Sequence, residues 1–239
     1  MKKLIAILLV LASMLALGSC GATNQNEPSL TPPATNLEAQ EILDTLAELI
    51  RTSTPTQSKV STLTGTENIN LKSDLTITMG ELSGKEAALY VHEYESFNEL
   101  GAQEAKTLTV ETKEYVEGMG LRIDGGMWER EQSSFVRRIT PYRMALDAET
   151  VQSLRTNEEK TEFSFVVPMD NASDVFTNFD GKTLATIASD ISVRVETDGT
   201  AVTMISIEYG MKSVANMENP TVKITALYSY DLQSITLLG

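Results

Sequence analysis

The chain has 239 residues, and its 33 acidic side chains outnumber its 19 basic ones, which gives a formal net charge of −14. A negative field of that size repels phosphate backbones, so the composition excludes nucleic acid as an expected partner. A single cysteine and a single histidine exclude an internal disulfide and leave too few ligands for a zinc site of Cys and His. We therefore expect no metal and no cofactor.

The first nineteen residues have the three parts of a secretion signal. Lys2 and Lys3 precede an apolar run over residues 4–17, in which Ser13 alone is polar, and small residues follow the run. A helix of that length rises about 21 Å, which is short of the ~30 Å hydrocarbon core of a bilayer. The pattern predicts a cleaved signal peptide at residues 1–19 rather than a membrane span.

The only cysteine, Cys20, follows this signal directly. The sequence Leu17-Gly18-Ser19-Cys20 resembles the bacterial lipobox, in which the cysteine receives a diacylglycerol before the signal is cleaved ahead of it. The resemblance implies a mature lipoprotein with acyl chains such as palmitate on Cys20, where two chains give stable anchoring. It would lie on the outer face of the cell membrane, or in the outer membrane of a cell that has two. The alternative is an ordinary secretory signal that leaves a free thiol.

Residues 20–36 carry three of the seven prolines and few apolar side chains, which predicts a flexible tether. Loss of Lys2 and Lys3 with the signal takes the net charge of the mature chain from −14 to −16. Since this charge disfavours binding to anionic lipid, the lipid on Cys20 is the expected membrane attachment.

An amphipathic helix is predicted over residues 37–51. Thr35 and Glu38 have the spacing of a capping box, and the helix should end before Pro55. One face of this helix is apolar, and it consists of Ala39, Ile42, Leu43, Leu46 and Ile50.

The hydrophobic period then changes from 3.6 to 2, which predicts strands. Apolar and polar residues alternate over residues 67–80, and similar patterns recur at 89–97, 107–118, 120–123, 127–131, 161–167, 191–196, 202–209, 221–230 and 234–238. Short turns at Gly84, at residues 124–126 and at Asp198-Gly199 predict antiparallel hairpins.

Two weaker helical patterns lie among the strands, at Ala145–Leu154 and at Ala172–Ser189, where Gly181 should split the second. This order of elements predicts a single α+β domain over residues 37–239. In that domain an N-terminal amphipathic helix and short mid-chain helices cover one face of a curved antiparallel sheet.

This architecture resembles the LolA-like and LppX-like lipoproteins. The residues that carry the resemblance are the ending Tyr230-Asp231-Leu232-Gln233-Ser234-Ile235 and a hairpin that runs from Tyr115 through Gly118 and Gly120 to Gly125-Gly126-Met127-Trp128. The resemblance implies a half-barrel whose concave face, covered by helices, holds acyl chains. The expected groove residues are Ile69, Leu71, Leu75, Ile77, Met79, Tyr90 and Tyr228.

A second candidate site is a cluster of arginines in an otherwise acidic chain, formed by Arg130, Arg137, Arg138 and Arg143. Arginine forks suit carboxylates and phosphates, so the cluster could bind an anionic headgroup or a protein partner. The alternative is a solvated face whose arginines pair with nearby acids such as Glu129 and Glu131.

No catalytic motif appears, because the chain lacks GxSxG, a P-loop and GxGxxG, and its sole histidine, His92, lies in a strand pattern beside acids. The sequence therefore predicts a non-enzymatic, membrane-anchored lipoprotein that binds a hydrophobic or amphiphilic ligand between sheet and helices. The alternative is an envelope interaction or accessory module with a solid core.

Overall fold

The computed structural model describes residues 29–67, 69–97, 106–129, 139–213 and 217–237. The predicted signal, Cys20 and most of the predicted tether lie outside these residues, and so do Arg130, Arg137 and Arg138. No described helix is long and apolar enough to cross a bilayer.

Helix α1 spans Asn36–Thr52. The N-terminus of α1 is capped by two hydrogen bonds. The Thr35 hydroxyl accepts a hydrogen bond from the Glu38 amide at 3.1 Å, and the Glu38 carboxylate accepts one from the Ala34 amide at 2.8 Å. Arg51 lies in the last turn, where a cation complements the helix dipole. The buried face of α1 consists of Ile42, Leu43, Leu46 and Ile50.

Within the described residues, ten strands form one curved, unclosed sheet in which every neighbouring pair is antiparallel. The strands are β1 (Gln57–Gly65), β2 (Asn70–Leu82), β3 (Lys85–Phe97), β4 (Lys106–Val116), β5 (Gly120–Ile123), β6 (Gln152–Thr156), β7 (Glu162–Val167), β8 (Ile191–Thr197), β9 (Val202–Gly210) and β10 (Thr221–Ser229). Their order is β5-β4-β3-β2-β1-β10-β9-β8-β7-β6. The sheet is therefore two five-stranded meanders that meet where β1 pairs with β10, and the predicted antiparallel sheet is confirmed.

Strand β1 is central to the sheet, yet the hydrophobic pattern predicts no strand at Gln57–Gly65. Its residues are mostly Ser, Thr and Lys, so both faces show little contrast in hydrophobicity. The strand forms because β2 and β10 supply full hydrogen-bonded ladders on both sides over Gln57–Gly65. Tertiary pairing here decides the conformation that local pattern leaves open.

The helix predicted at Ala145–Leu154 is wrong. A single turn follows Asp147, whose backbone carbonyl accepts from the Thr150 and Val151 amides at 3.0 Å each. The chain then enters β6, where Leu154 is buried. Pairing with β7 stabilises this segment more than helix formation would. The segment contains the β-branched residues Thr150 and Val151, which lower helix propensity.

The second mid-chain pattern yields a 3₁₀ turn at Met169–Asn171 and two short helices, α2 (Ala172–Val175) and α3 (Gly181–Thr186). Gly181 is the first residue of α3, so the helical pattern breaks just before it. Asp180 caps α3 by accepting from the Thr183 amide at 2.6 Å, and this hydrogen bond lowers the pKa of Asp180.

The main core lies between α1 and the meander β6–β10. Alternate residues of these strands are buried together with the buried face of α1. Strands β8, β9 and β10 show the alternation most clearly, with Ile191, Val193, Val195, Ile205, Ile207, Val222, Ile224 and Ala226 all under 9% exposed. We call the side of the sheet that carries these residues the inner face.

A second, smaller cluster forms on the opposite side of the sheet, around Ala87, Val116 and Ile235. The C-terminal segment reaches it by a parallel bridge between Ser234 and Glu81. Gly80 permits this approach, since a Cβ at that position would lie 2.2 Å from the Gln233 carbonyl oxygen. The segment therefore closes over the end of the β2–β3 hairpin.

Candidate ligand-binding face

The register of the sheet carries the inner face from the core into the other meander. Tyr228 pairs with Ser58, Ser58 with Ile77, and Ile77 with Tyr90. Directly paired residues of antiparallel strands point to the same face. The inner face therefore continues without a break from β10 to β3.

Six of the seven predicted groove residues lie on this inner face. They are Leu71, Leu75, Ile77 and Met79 of β2, Tyr90 of β3 and Tyr228 of β10. The seventh, Ile69, precedes β2 and is half-buried in a turn, where its carbonyl accepts from the Thr66 amide at 2.8 Å. We call the four β2 residues the apolar row.

Burial differs between the two halves of the inner face. The residues that face α1 are buried; Ala226 and Ile205, for example, are 0% exposed. All four residues of the apolar row are half-buried, and so is Tyr90. The meander β6–β10 therefore has a filled core, whereas β2 presents apolar side chains that keep contact with solvent.

A cavity of about 200 Å³ lies at the boundary between the halves. Strand residues Val60, Ile77 and Tyr228 form one wall, and Ile139 and Tyr142 lie on another. The Tyr142 amide donates to the Tyr228 hydroxyl at 3.4 Å. Burial raises the pKa of the Tyr228 phenol, so this side chain is neutral at pH 7 and suits an apolar ligand.

A wider groove of about 610 Å³ runs between α1 and residues 140–145. Its rim carries Asp44, Glu48, Arg51 and Arg143, of which Arg51 is held by Glu48 at 2.5 Å. Thr140 lines both the groove and the smaller cavity. Arg143 is thus the one predicted arginine whose position is described, and it is exposed beside acidic side chains.

Four polar side chains lie on the inner face within and beside the apolar row, one on β2, two on β3 and one on β4. Ser73 Oγ is 2.9 Å from His92 Nε2, the His92 and Tyr94 rings are 4.8 Å apart, and the Tyr94 hydroxyl donates to Glu111 Oε1 at 3.1 Å. We call Ser73, His92, Tyr94 and Glu111 the polar cluster. The sequence pattern around His92 shows only a strand beside acids, because the register of the sheet alone brings Ser73 and Glu111 next to this histidine.

The Ser73–His92 contact has the distance of a nucleophile and its base, but the rest of a catalytic triad does not follow. Glu111 accepts from Tyr94 rather than from the imidazole, so no described carboxylate orients His92. Within the described ranges no group of three His, Cys, Asp or Glu side chains could hold a metal ion. The arrangement suits binding by hydrogen bonds.

No family model matches the chain, and no curated protein matches it. Among solved structures, the chain is similar to a DUF1329 family protein from Desulfovibrio piger, with 11% identity and a TM-score of 0.27, over 84% of this chain and 95% of that one.

The chain is also similar to the dehydratase domain of the CurK module of curacin polyketide synthase, with 13% identity and a TM-score of 0.17, over 84% of this chain and 82% of that one. An inactive mutant of the CurK dehydratase gives 14% identity and a TM-score of 0.18, over 86% and 84%. Similarities this weak carry no argument about the fold or chemistry of the chain.

Proposed function

We propose that this chain is a non-enzymatic, membrane-anchored extracytoplasmic lipoprotein with a LolA-like half-barrel, and that it binds a hydrophobic or amphiphilic ligand between sheet and helices. The observation that carries the proposal is the continuation of the inner face from the filled core onto the half-buried apolar row of β2. The ligand lies along this row and enters the cavity beside Tyr228.

The dimensions of the apolar row suit an extended chain. From Leu71 to Met79 the strand covers about 27 Å. Every second residue of this stretch lies on the inner face, and all of these residues except Ser73 are apolar. Each methylene that a ligand removes from water there contributes about 0.8 kcal/mol before the costs of association. An acyl chain that buries ten methylenes would thus gain on the order of 8 kcal/mol.

The predicted lipid on Cys20 and the position of Thr31 together limit how far strand β6 can lie from the membrane. Thr31 pairs with Thr156 at the edge strand β6, with N···O distances of 2.9 Å in both directions. Ten residues, 21–30, separate Cys20 from Thr31 in the sequence, and ten residues span at most about 36 Å. Strand β6 would lie within that distance of the bilayer, which supports a role in handling membrane-derived ligands.

The ligand proposal is tested by Ile77→Asn, which places an amide on the inner face beside the cavity. Thr76→Asn is the matched control, because Thr76 is adjacent on the same strand and points to the opposite face. We expect titration of a neutral fluorescent alkyl probe to show at least tenfold weaker binding to Ile77→Asn and unchanged binding to the control. Equal affinities, or no uptake by the wild-type chain, would contradict the proposal.

The anchor is tested separately by Cys20→Ser in cells fed with labelled palmitate. The wild-type chain should incorporate the label and sediment with membranes, whereas Cys20→Ser should do neither. If Cys20→Ser remained labelled, acylation would have to occur at another residue, and the proposed role of Cys20 would be refuted.

The filled core of β6–β10 also favours a second candidate, an envelope interaction module. Its surface would be the groove beside α1, where Arg143 is exposed. Crosslinking in intact cells should then depend on Arg143→Glu but not on Arg155→Glu, a control with the same change of charge on β6. A crosslinked partner that survives Arg143→Glu would remove this candidate.

A further inference from the structure

The polar cluster begins within the apolar row, at Ser73 of β2, and extends over the next two strands, β3 and β4, on the same face. Leu75 of β2 pairs with His92 of β3, which in turn pairs with Glu111 of β4. Ser73 pairs with Tyr94 in the neighbouring position. A ligand that covers the apolar row therefore has hydrogen-bonding groups within reach at its side, about 5 to 10 Å away in the direction across the strands.

The contacts within the polar cluster leave capacity for a ligand. Tyr94 occupies Glu111 Oε1, and Glu111 Oε2 has no partner among the described side chains. The Glu111 side chain is exposed, so this oxygen is accessible. The cluster therefore offers one accessible carboxylate oxygen as an acceptor, next to an imidazole that Ser73 contacts at 2.9 Å.

The described charges of this region do not favour anionic groups. Glu111 is the charged member of the polar cluster, and Lys113, the next residue along β4 on the same face, offsets it without reversing it. The whole chain carries a net charge of −14, which adds a repulsive background. A phosphate headgroup would meet no excess of positive charge at this position.

The aromatic side chains favour a flat or ring-shaped neutral group. Tyr90, His92 and Tyr94 occupy alternate positions of β3 and form a line of three rings on the inner face. Rings with a polar edge combine apolar contact with hydrogen bonding. Hydroxyl groups of a ligand could donate to Glu111 Oε2 while its carbon skeleton lies against these rings.

We propose that the polar cluster recognises the neutral, hydroxyl-bearing headgroup of an amphiphile whose acyl part lies on the apolar row. This inference rests on the proposed ligand-binding function and adds the class of headgroup. It identifies glycosyl diacylglycerols, rather than anionic phospholipids, as the class of ligand that fits.

The test compares two diacyl lipids with identical acyl chains, a galactosyl diacylglycerol and a phosphatidylglycerol, in displacing a neutral fluorescent alkyl probe from the chain that starts at Gly21. We expect the galactolipid to bind wild type at least tenfold more tightly. Glu111→Lys should abolish or reverse this preference, because it replaces the acceptor by a cation that attracts phosphate.

Glu93→Lys is the matched control, since it makes the same change of charge on β3 but on the opposite face, where Glu93 pairs with Val110. It should leave the preference within twofold of wild type. If the alkyl probe binds but the two lipids compete equally, or if Glu111→Lys leaves the preference unchanged, the headgroup inference is overturned while ligand binding stands. If the probe does not bind wild type, both proposals fail.

Discussion

The contrast between the two halves of the inner face gives a stability prediction that compares Leu46→Ala with Leu75→Ala. Leu46 of α1 is 0% exposed within the main core, whereas Leu75 of β2 is half-buried on the apolar row. Both substitutions remove the same three carbons from a leucine. Any difference in cost therefore reports the surroundings rather than the chemistry of the change.

The expected costs in unfolding free energy differ by a factor of about three to five. Leu46→Ala loses the full transfer free energy of its side chain and leaves a cavity between α1 and the sheet, which costs about 3 to 5 kcal/mol. Leu75→Ala loses only part of the transfer free energy, and solvent or neighbours can fill the space, so we expect a cost of roughly 1 kcal/mol.

Urea denaturation followed by circular dichroism measures both costs, provided that the slope with denaturant is the same in all three proteins. Leu37→Ala is the control on α1, because Leu37 is 73% exposed and its loss should change stability by less than about 0.5 kcal/mol. A cost for Leu75→Ala equal to that for Leu46→Ala would show that the apolar row is closed core and would refute the open inner face.

Three further predictions concern stability. Ser53→Ala should cost about 1 to 3 kcal/mol in urea unfolding, because the buried Ser53 hydroxyl accepts from the Val202 amide at 3.0 Å and its loss leaves that amide unpaired; an unchanged midpoint would refute this. Gly199→Ala should lower the melting temperature, because Gly199 has a φ of 88°, which an alanine rarely adopts. Gly181→Ala at the start of α3 should raise the free energy of unfolding by about 0.5 kcal/mol, because an added Cβ there meets no neighbouring atom. Shifts of the opposite sign would contradict these backbone geometries. The stability that the buried phenols contribute should be constant up to about pH 10 and fall above it, because the unfolded chain loses phenolic protons that the folded chain retains, and a urea midpoint that is unchanged between pH 8 and pH 11 would contradict this. Burial raises the phenolic pKa of Tyr142, Tyr209 and Tyr228.

The sequence predicts most of the sheet because β2, β3, β4 and β7–β10 alternate clearly between apolar and polar residues. The sequence does not predict β1, because Ser58, Thr62 and Thr64 occupy its inner-face positions. Apolar residues there would have produced the alternation that indicates a strand. Pairing on both sides fixes this strand, and such long-range pairing leaves no local signature.

The candidate site is predictable only in part for the same reason. The alternation over β2 places Leu71, Leu75 and Ile77 on one face, and the structure shows this face continuous with Tyr228. The polar cluster depends on the register between β2, β3 and β4, which no hydrophobic pattern specifies. A shift of one residue would send His92 to the opposite face and away from Ser73.

Native mass spectrometry of the chain that starts at Gly21, after incubation with lipids extracted from the producing cells, detects directly whether the inner face binds a lipid-like ligand. We expect one stoichiometric adduct with the mass of a diacyl lipid, which Ile77→Asn loses and Thr76→Asn retains. A wild-type chain that stays free of adduct, or an adduct that both variants retain, would contradict this expectation.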